Sequence, residues 1–72
     1  MQREYKVDGL WQVVDTMANG DELYTSEFPF NSARGFQFET CLFRDDGSST
    51  VLGRYVTKAQ AQQGHNSALA DL

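Results

Sequence analysis

Apolar and polar residues alternate along most of this chain, and the alternation is broken at glycines. Phe36 to Phe43 predicts a strand with Phe36, Phe38, Thr40 and Leu42 on one side and Gln37, Glu39, Cys41 and Phe43 on the other. Asp46-Gly47 then supplies the residues of a tight hairpin turn, and Thr50 to Val56 returns as a second strand. A two-residue loop sets Leu42 opposite Val51, Thr40 opposite Gly53 and Phe38 opposite Tyr55. On the other face Cys41 meets Leu52 and Glu39 meets Arg54, an opposite-charge pair.

A second hairpin is predicted upstream. Leu10 to Met17 alternates, Asn19-Gly20 is a strong turn signal, and Leu23 to Phe30 is the return strand, ending near Pro29. The same loop rule places Trp11 opposite Phe28, Val13 opposite Ser26 and Asp15 opposite Tyr24. Gln12, Val14 and Thr16 then meet Glu27, Thr25 and Leu23. Residues 1–6 are polar and are expected to fray, Val7-Asp8-Gly9 reads as a turn or bulge, and Asn31 to Gly35 as a polar connection.

After Thr57 the period becomes helical. Thr57 with Gln60 three positions on is a capping box, and Ala61, Gly64, His65, Ala68 and Leu72 share one face. Most are small, which lets a helix lie close on a sheet over Gly53. Gly64 costs about 1 kcal/mol relative to alanine in a helix, so either close approach or a break before His65 is expected there. These elements predict one α+β domain over residues 1–72: a four-stranded antiparallel sheet of two β-hairpins, with the C-terminal helix packed on its aromatic face. That face would hold Trp11, Val13, Tyr24 and Phe28 from the first hairpin. Phe36, Phe38, Leu42, Val51 and Tyr55 would come from the second. Helix–sheet packing is assigned to Gly53, Ala61, Gly64, His65 and Ala68. The opposite face keeps Val14, Leu23, Cys41, Phe43, Leu52 and Val56, half-apolar and suited to self-association or a partner.

Composition narrows the function classes. A core from 72 residues rarely yields more than about 3–5 kcal/mol. One cysteine excludes an internal disulfide, and one histidine with one cysteine does not make a structural zinc site. The net charge is −4, and Asp8, Asp15, Asp21, Glu22 and Glu27 lie between Lys6 and Arg34 with no basic residue among them. Direct binding to nucleic acid or an anionic membrane needs clustered Lys and Arg, so neither is expected. A basic protein partner is compatible, as is a merely solvated acidic surface. No apolar run approaches a membrane span and no signal-peptide pattern is present.

Candidate chemistry is sparse. His65 is the only imidazole, read as a core or interface histidine before a general base. Cys41 reads as a small apolar residue, and Asp45-Asp46-Gly47 as turn chemistry without the later ligands of a calcium loop. Arg34 is the lone basic residue of its loop. No glycine-rich phosphate loop occurs. No catalytic residue, metal ligand or cofactor is therefore assigned, and an enzyme is not expected.

Glu39-Thr40-x-x-Phe43, Arg54-Tyr55-x-Thr57 and Ala61-x-x-Gly64-His65 together form a pattern that resembles small uncharacterised proteins encoded by bacteriophages and prophages. The resemblance covers roughly residues 39–65 and implies phage origin and a bacterial cytoplasmic setting. It transfers no activity. Leu42 and Cys41 stand where those proteins often carry valine and methionine, which speaks against a reactive cysteine. The expectation is a small acidic module that binds a host protein, in one version an antagonist of a nucleic-acid-handling or defence protein. Its candidate partner surface is Asp15, Asp21, Glu22, Glu27, Leu23, Cys41, Phe43 and Leu52. The alternative is a virion or assembly component, or a homo-oligomer such as a homodimer using the Cys41–Phe43–Leu52 face.

Overall fold

A computed structural model describes residues 2–29 and 35–72. The strands are β1 Gln2–Val7, β2 Leu10–Thr16, β3 Glu22–Glu27, β4 Phe38–Phe43 and β5 Ser49–Tyr55, followed by the helix α1 Lys58–Asp71. The sheet runs in the order β1-β2-β3-β4-β5 with every neighbour antiparallel. The α+β architecture with one C-terminal helix on an antiparallel sheet is as predicted, but the sheet has five strands rather than four. The extra strand is the polar leader. Asp8 and Gly9 have φ of 52° and 80°, the paired positive values of a two-residue hairpin turn, and they set Val7 opposite Leu10. All six residues of β1 are exposed, so apolar alternation could not reveal it. Its charges suit an edge, where they discourage pairing with other chains.

The next turn is one residue longer than predicted. The Met17 N–H donates to the Asp21 carbonyl at 2.7 Å and the Gly20 N–H to the Met17 carbonyl at 3.1 Å. Of Asn19 and Gly20 only the glycine has positive φ, 95°. This is a three-residue loop closed by a left-handed glycine, not a two-residue one. It pairs Val13 with Thr25 and Asp15 with Leu23, one position off the predicted register. A slip of one turns a strand's faces over. Leu23 and Thr25 therefore join Trp11, Val13 and Asp15 beneath the helix, and Tyr24 goes to the opposite face.

The β4–β5 turn repeats this chemistry, with Arg44 N–H donating to Ser48 O at 2.8 Å and Gly47, φ 92°, donating to Arg44 O at 2.9 Å. Near it Leu42 pairs with Thr50 and Cys41 with Val51, not with Val51 and Leu52 as predicted. An irregularity between Thr40 and Cys41 then takes up Leu52 as an extra residue. Beyond it the predicted pairs Thr40–Gly53, Glu39–Arg54 and Phe38–Tyr55 all occur.

The helix begins at Thr57 with both capping-box hydrogen bonds formed and lies across β3, β4 and β5. It continues unbroken through Gly64, so the alternative of a break before His65 is not realised. The reason for glycine is Tyr55. A Cβ at either Gly53 or Gly64 would overlap the Tyr55 hydroxyl and ring carbons, so the phenol ring occupies the notch between sheet and helix. Trp11, Val13, Phe38 and Ala61 make the core around it, with the Trp11 and Phe38 rings edge-on at 5.9 Å. Of the predicted connection Asn31 to Gly35, residues 31–34, with Arg34, lie outside the described residues.

Candidate functional site

Two places on the molecule carry chemistry, one on each face of the sheet. The first is a buried polar chain under the helix. The last buried turn of α1 directs His65 onto β2 and β3. Its Nε2 lies 2.8 Å from the Asp15 carboxylate, and its Nδ1 lies 2.8 Å from the Thr25 hydroxyl. Thr25 in turn meets Thr40 at 2.5 Å, and the Gln2 amide donates to Asp15 at 3.0 Å. With one proton on the ring, Nε2–H donates to Asp15, Nδ1 accepts from Thr25, and Thr25 accepts from Thr40. Exposure is 0% at Thr25 and Thr40, 1% at His65 and 6% at Asp15. Burial pushes the Asp15 carboxyl up, but hydrogen bonds from Gln2 and His65 and the His65 charge outweigh it and hold it below the ordinary range. Among the described residues no buried side-chain polar atom lacks a partner.

An acid, an imidazole and a hydroxyl in line have the connectivity of a nucleophilic relay. Here both ring nitrogens are occupied and the hydroxyl has no accessible surface. The chain fastens the helix to the sheet, and it does so with four elements: β1, β2, β3 and β4 each contribute one partner to the line that passes through His65. Much of the Glu39–His65 sequence pattern gathers around this attachment. Thr40 ends the buried chain, Tyr55 fills the notch at Gly64, Thr57 caps the helix, and Ala61 and His65 are its buried residues.

The second place is the sheet face that the helix leaves uncovered. A groove of about 490 Å³ follows β3 and β4 there. Its floor is Tyr24, Phe28, Cys41 and Phe43, with Gln12 and Ser26 beside them. The Tyr24 and Phe43 rings meet edge-on at 5.3 Å. Glu22 and Glu39 stand in its wall, and among the described residues no cationic one lines it. The Cys41 thiol donates to Glu39 at 3.1 Å. Burial, that hydrogen bond and the Glu39 charge push the thiol up to about 11, so it is not a thiolate at neutral pH. Burial and the Glu22 charge likewise raise the Tyr24 hydroxyl.

The eight residues assigned from sequence to a partner surface are thus divided. Asp15 and Leu23 are buried beneath the helix, a correction in both cases: the one-residue slip turns Leu23 there, and Asp15, on the Trp11 and Val13 side of β2, is covered where His65 meets it. Asp21 sits in the first turn and accepts the Asp45 N–H at 2.9 Å. Glu27 accepts the Trp11 N–H at 3.0 Å. Glu22, Cys41 and Phe43 line the groove. Leu52 stands apart at the bulge of β5, 43% exposed. Sequence reasoning missed Tyr24, Phe28 and Glu39 as groove residues; the true turn length would have found Tyr24 and Phe28, and the alternation that puts Glu39 beside Cys41 and Phe43 would have found Glu39. The packing residues Gly53, Ala61, Gly64 and His65 lie at the helix–sheet contact, and Ala68 is half-buried.

Among the described residues no group of three or more metal-ligating side chains occurs, and no helix is long and apolar enough to cross a membrane. Compared with known proteins, the chain matches no protein-family model, no curated protein and no solved structure.

Proposed function

We propose that this is a small phage-encoded binding module that acts by occupying a surface on a host protein. The observation that carries it is the apolar groove along β3 and β4 that the helix leaves uncovered, with two carboxylates and, among the described residues, no cation in its wall. A half-apolar concave face on so small a domain is the kind of surface that protein partners cover. The phage origin rests on the pattern over residues 39–65, and a bacterial cytoplasm is the setting that goes with it. In its sharper version the module is an antagonist of a nucleic-acid-handling or defence protein, setting carboxylates where phosphates would lie. Asp15 is too buried to take part in that, which leaves Asp21, Glu22 and Glu27.

A second reading is favoured by a different region. The outer strand β5 leaves Val51 46% and Leu52 43% exposed, and no charged residue lies between Ser48 and Gly53. An unguarded edge of this kind pairs with other strands, in a homodimer or a virion assembly.

The test is a tagged pull-down from host lysate with three baits: the natural chain, Phe43→Ser and Leu52→Glu. Both substitutions fall on well-exposed side chains, so the fold is retained. A partner lost with Phe43→Ser and kept with Leu52→Glu supports the groove. Loss of self-association with Leu52→Glu alone supports the edge. A partner held equally by all three baits contradicts both readings. Replacing Asp21, Glu22 and Glu27 by their amides should flatten the salt dependence of capture if the antagonist version holds.

A further inference from the structure

The two groove carboxylates have a spacing that defines what they can meet. Glu22 opens β3 opposite Phe43, and Glu39 lies opposite Ser26, four residues further along β3. At about 3.3 Å per residue that separates them by about 13 Å along the strands. Tyr24 and Cys41, paired across β3 and β4, lie between them. Each carboxylate is met by one of the chain's own arginines, Arg3 at 3.8 Å from Glu22 and Arg54 at 2.9 Å from Glu39. The first pair is loose, with side chains 58% and 38% exposed. Glu39 is more fully engaged, by Arg54 on one oxygen and by the Cys41 thiol on the other.

We infer that the groove takes an extended segment of a protein partner that carries two basic residues four positions apart with an apolar residue midway between them. This rests on the groove being the partner surface. In an extended chain, residues two apart share a face and residues four apart span about 13 Å. The basic pair then reaches Glu22 and Glu39 while the middle side chain lies on the Tyr24 and Phe43 rings. The pattern reads the same in both directions, so either strand polarity fits. Glu22 contributes more than Glu39, because its own arginine holds it less closely.

The experiment is a titration of the full, ¹⁵N-labelled chain at low salt, followed by amide shifts. The probe is a capped peptide, Ser-Arg-Thr-Val-Thr-Arg-Ser. The controls are Ser-Arg-Thr-Val-Arg-Thr-Ser, with the arginines three apart, and the first peptide with glutamate for arginine. Shift changes are expected at Glu22, Tyr24, Ser26, Cys41 and Phe43. The four-spaced peptide should bind about two- to fivefold more tightly than the three-spaced one, the range of an exposed ion pair. Glu22→Gln should weaken it by a similar factor and Arg3→Gln should strengthen it. Equal affinity for both spacings, equal binding of the glutamate peptide, shifts confined to the helix, or no shifts would each overturn the inference. The groove itself stands or falls separately: a natural partner that needs Phe43 but ignores the carboxylates leaves the binding module in place and removes only the basic-pair rule.

Discussion

Met17–Asp21 and Arg44–Ser48 close their hairpins with the same parts. Each has a three-residue loop, a left-handed glycine, and an Asx side chain that accepts the N–H two residues on, Asn19 from Asp21 at 3.0 Å and Asp46 from Ser48 at 2.9 Å. The turns even touch, through Asp45 N–H and Asp21. Their consequences differ. In the second hairpin the extra Leu52 in β5 absorbs the offset, and the pairs beyond it stand as a two-residue loop would have set them. In the first nothing absorbs it, and β3 is turned over against β2 for its whole length. The lesson is that turn length decides faces unless a bulge intervenes. The unabsorbed slip is what carries Leu23 and Thr25 under the helix beside Asp15 and leaves Tyr24 in the open groove.

The largest effect should come from breaking the attachment that the slip completes. Asp15→Ala leaves the His65 N–H buried without its acceptor, at the upper end of the about 1–3 kcal/mol that an unsatisfied buried donor costs, a large share of what a domain of this size usually has. Urea melts at 25 °C should show the loss. Gly64→Ala tests the helix side of the same contact. Its Cβ would overlap Tyr55, and overpacking of this kind costs about 1–3 kcal/mol in urea melts. Gly64→Ala with Tyr55→Leu should lose clearly less than the two single changes summed.

Smaller effects separate the hairpins directly. Gly20→Ala and Gly47→Ala both place a side chain at positive φ, at a cost of about 1 kcal/mol each. Gly20→Ala should cost more, since its Cβ meets Asp45 while that of Gly47 meets open space. Deleting Leu52 removes the extra residue and leaves Thr40–Gly53 and Glu39–Arg54 in register. We expect a folded protein with a stability change within about 1 kcal/mol, read by thermal melts, because the side chain was well exposed.

The pH dependence follows from Asp15. Its carboxyl is held below the unfolded value of about 3.9, so the stability it contributes is present above that pH and is lost as pH falls through the folded value. Urea melts between pH 2 and pH 6 should show an acid limb that is shallower in Asp15→Asn. The smallest expected change is at Cys41. Glu39→Gln removes a charge that raises the thiol, so alkylation at pH 8 should be slow in the natural chain and faster in the variant.

Much of the second hairpin and the helix was legible in the sequence. Thr57 with Gln60 marked the helix start, Glu39 with Arg54 marked the far pairs, and the small residues Gly53 and Gly64 marked close approach. The fifth strand was not legible from apolar alternation, because β1 is an edge exposed on both faces. Asp8-Gly9, a hairpin dipeptide, was the available signal. The groove was not legible because Asn-Gly and Asp-Gly serve two-residue and three-residue loops alike. The difference lies in the backbone angle of the residue before glycine, which composition does not report. Asp15 alternates with Trp11 and Val13 and so belongs to the helix face under either loop length; its charge made it a surface candidate, and the structure sets it against the single histidine.

The most direct test of this account is a set of through-space proton contacts in solution by NMR. The account requires contacts from the His65 ring to the Thr25 methyl group and from the Tyr24 ring to Phe43. Contacts from the Tyr24 ring to Ala61 or His65 would restore the two-residue loop, return Leu23 to the open face and remove the groove on which the proposed function rests.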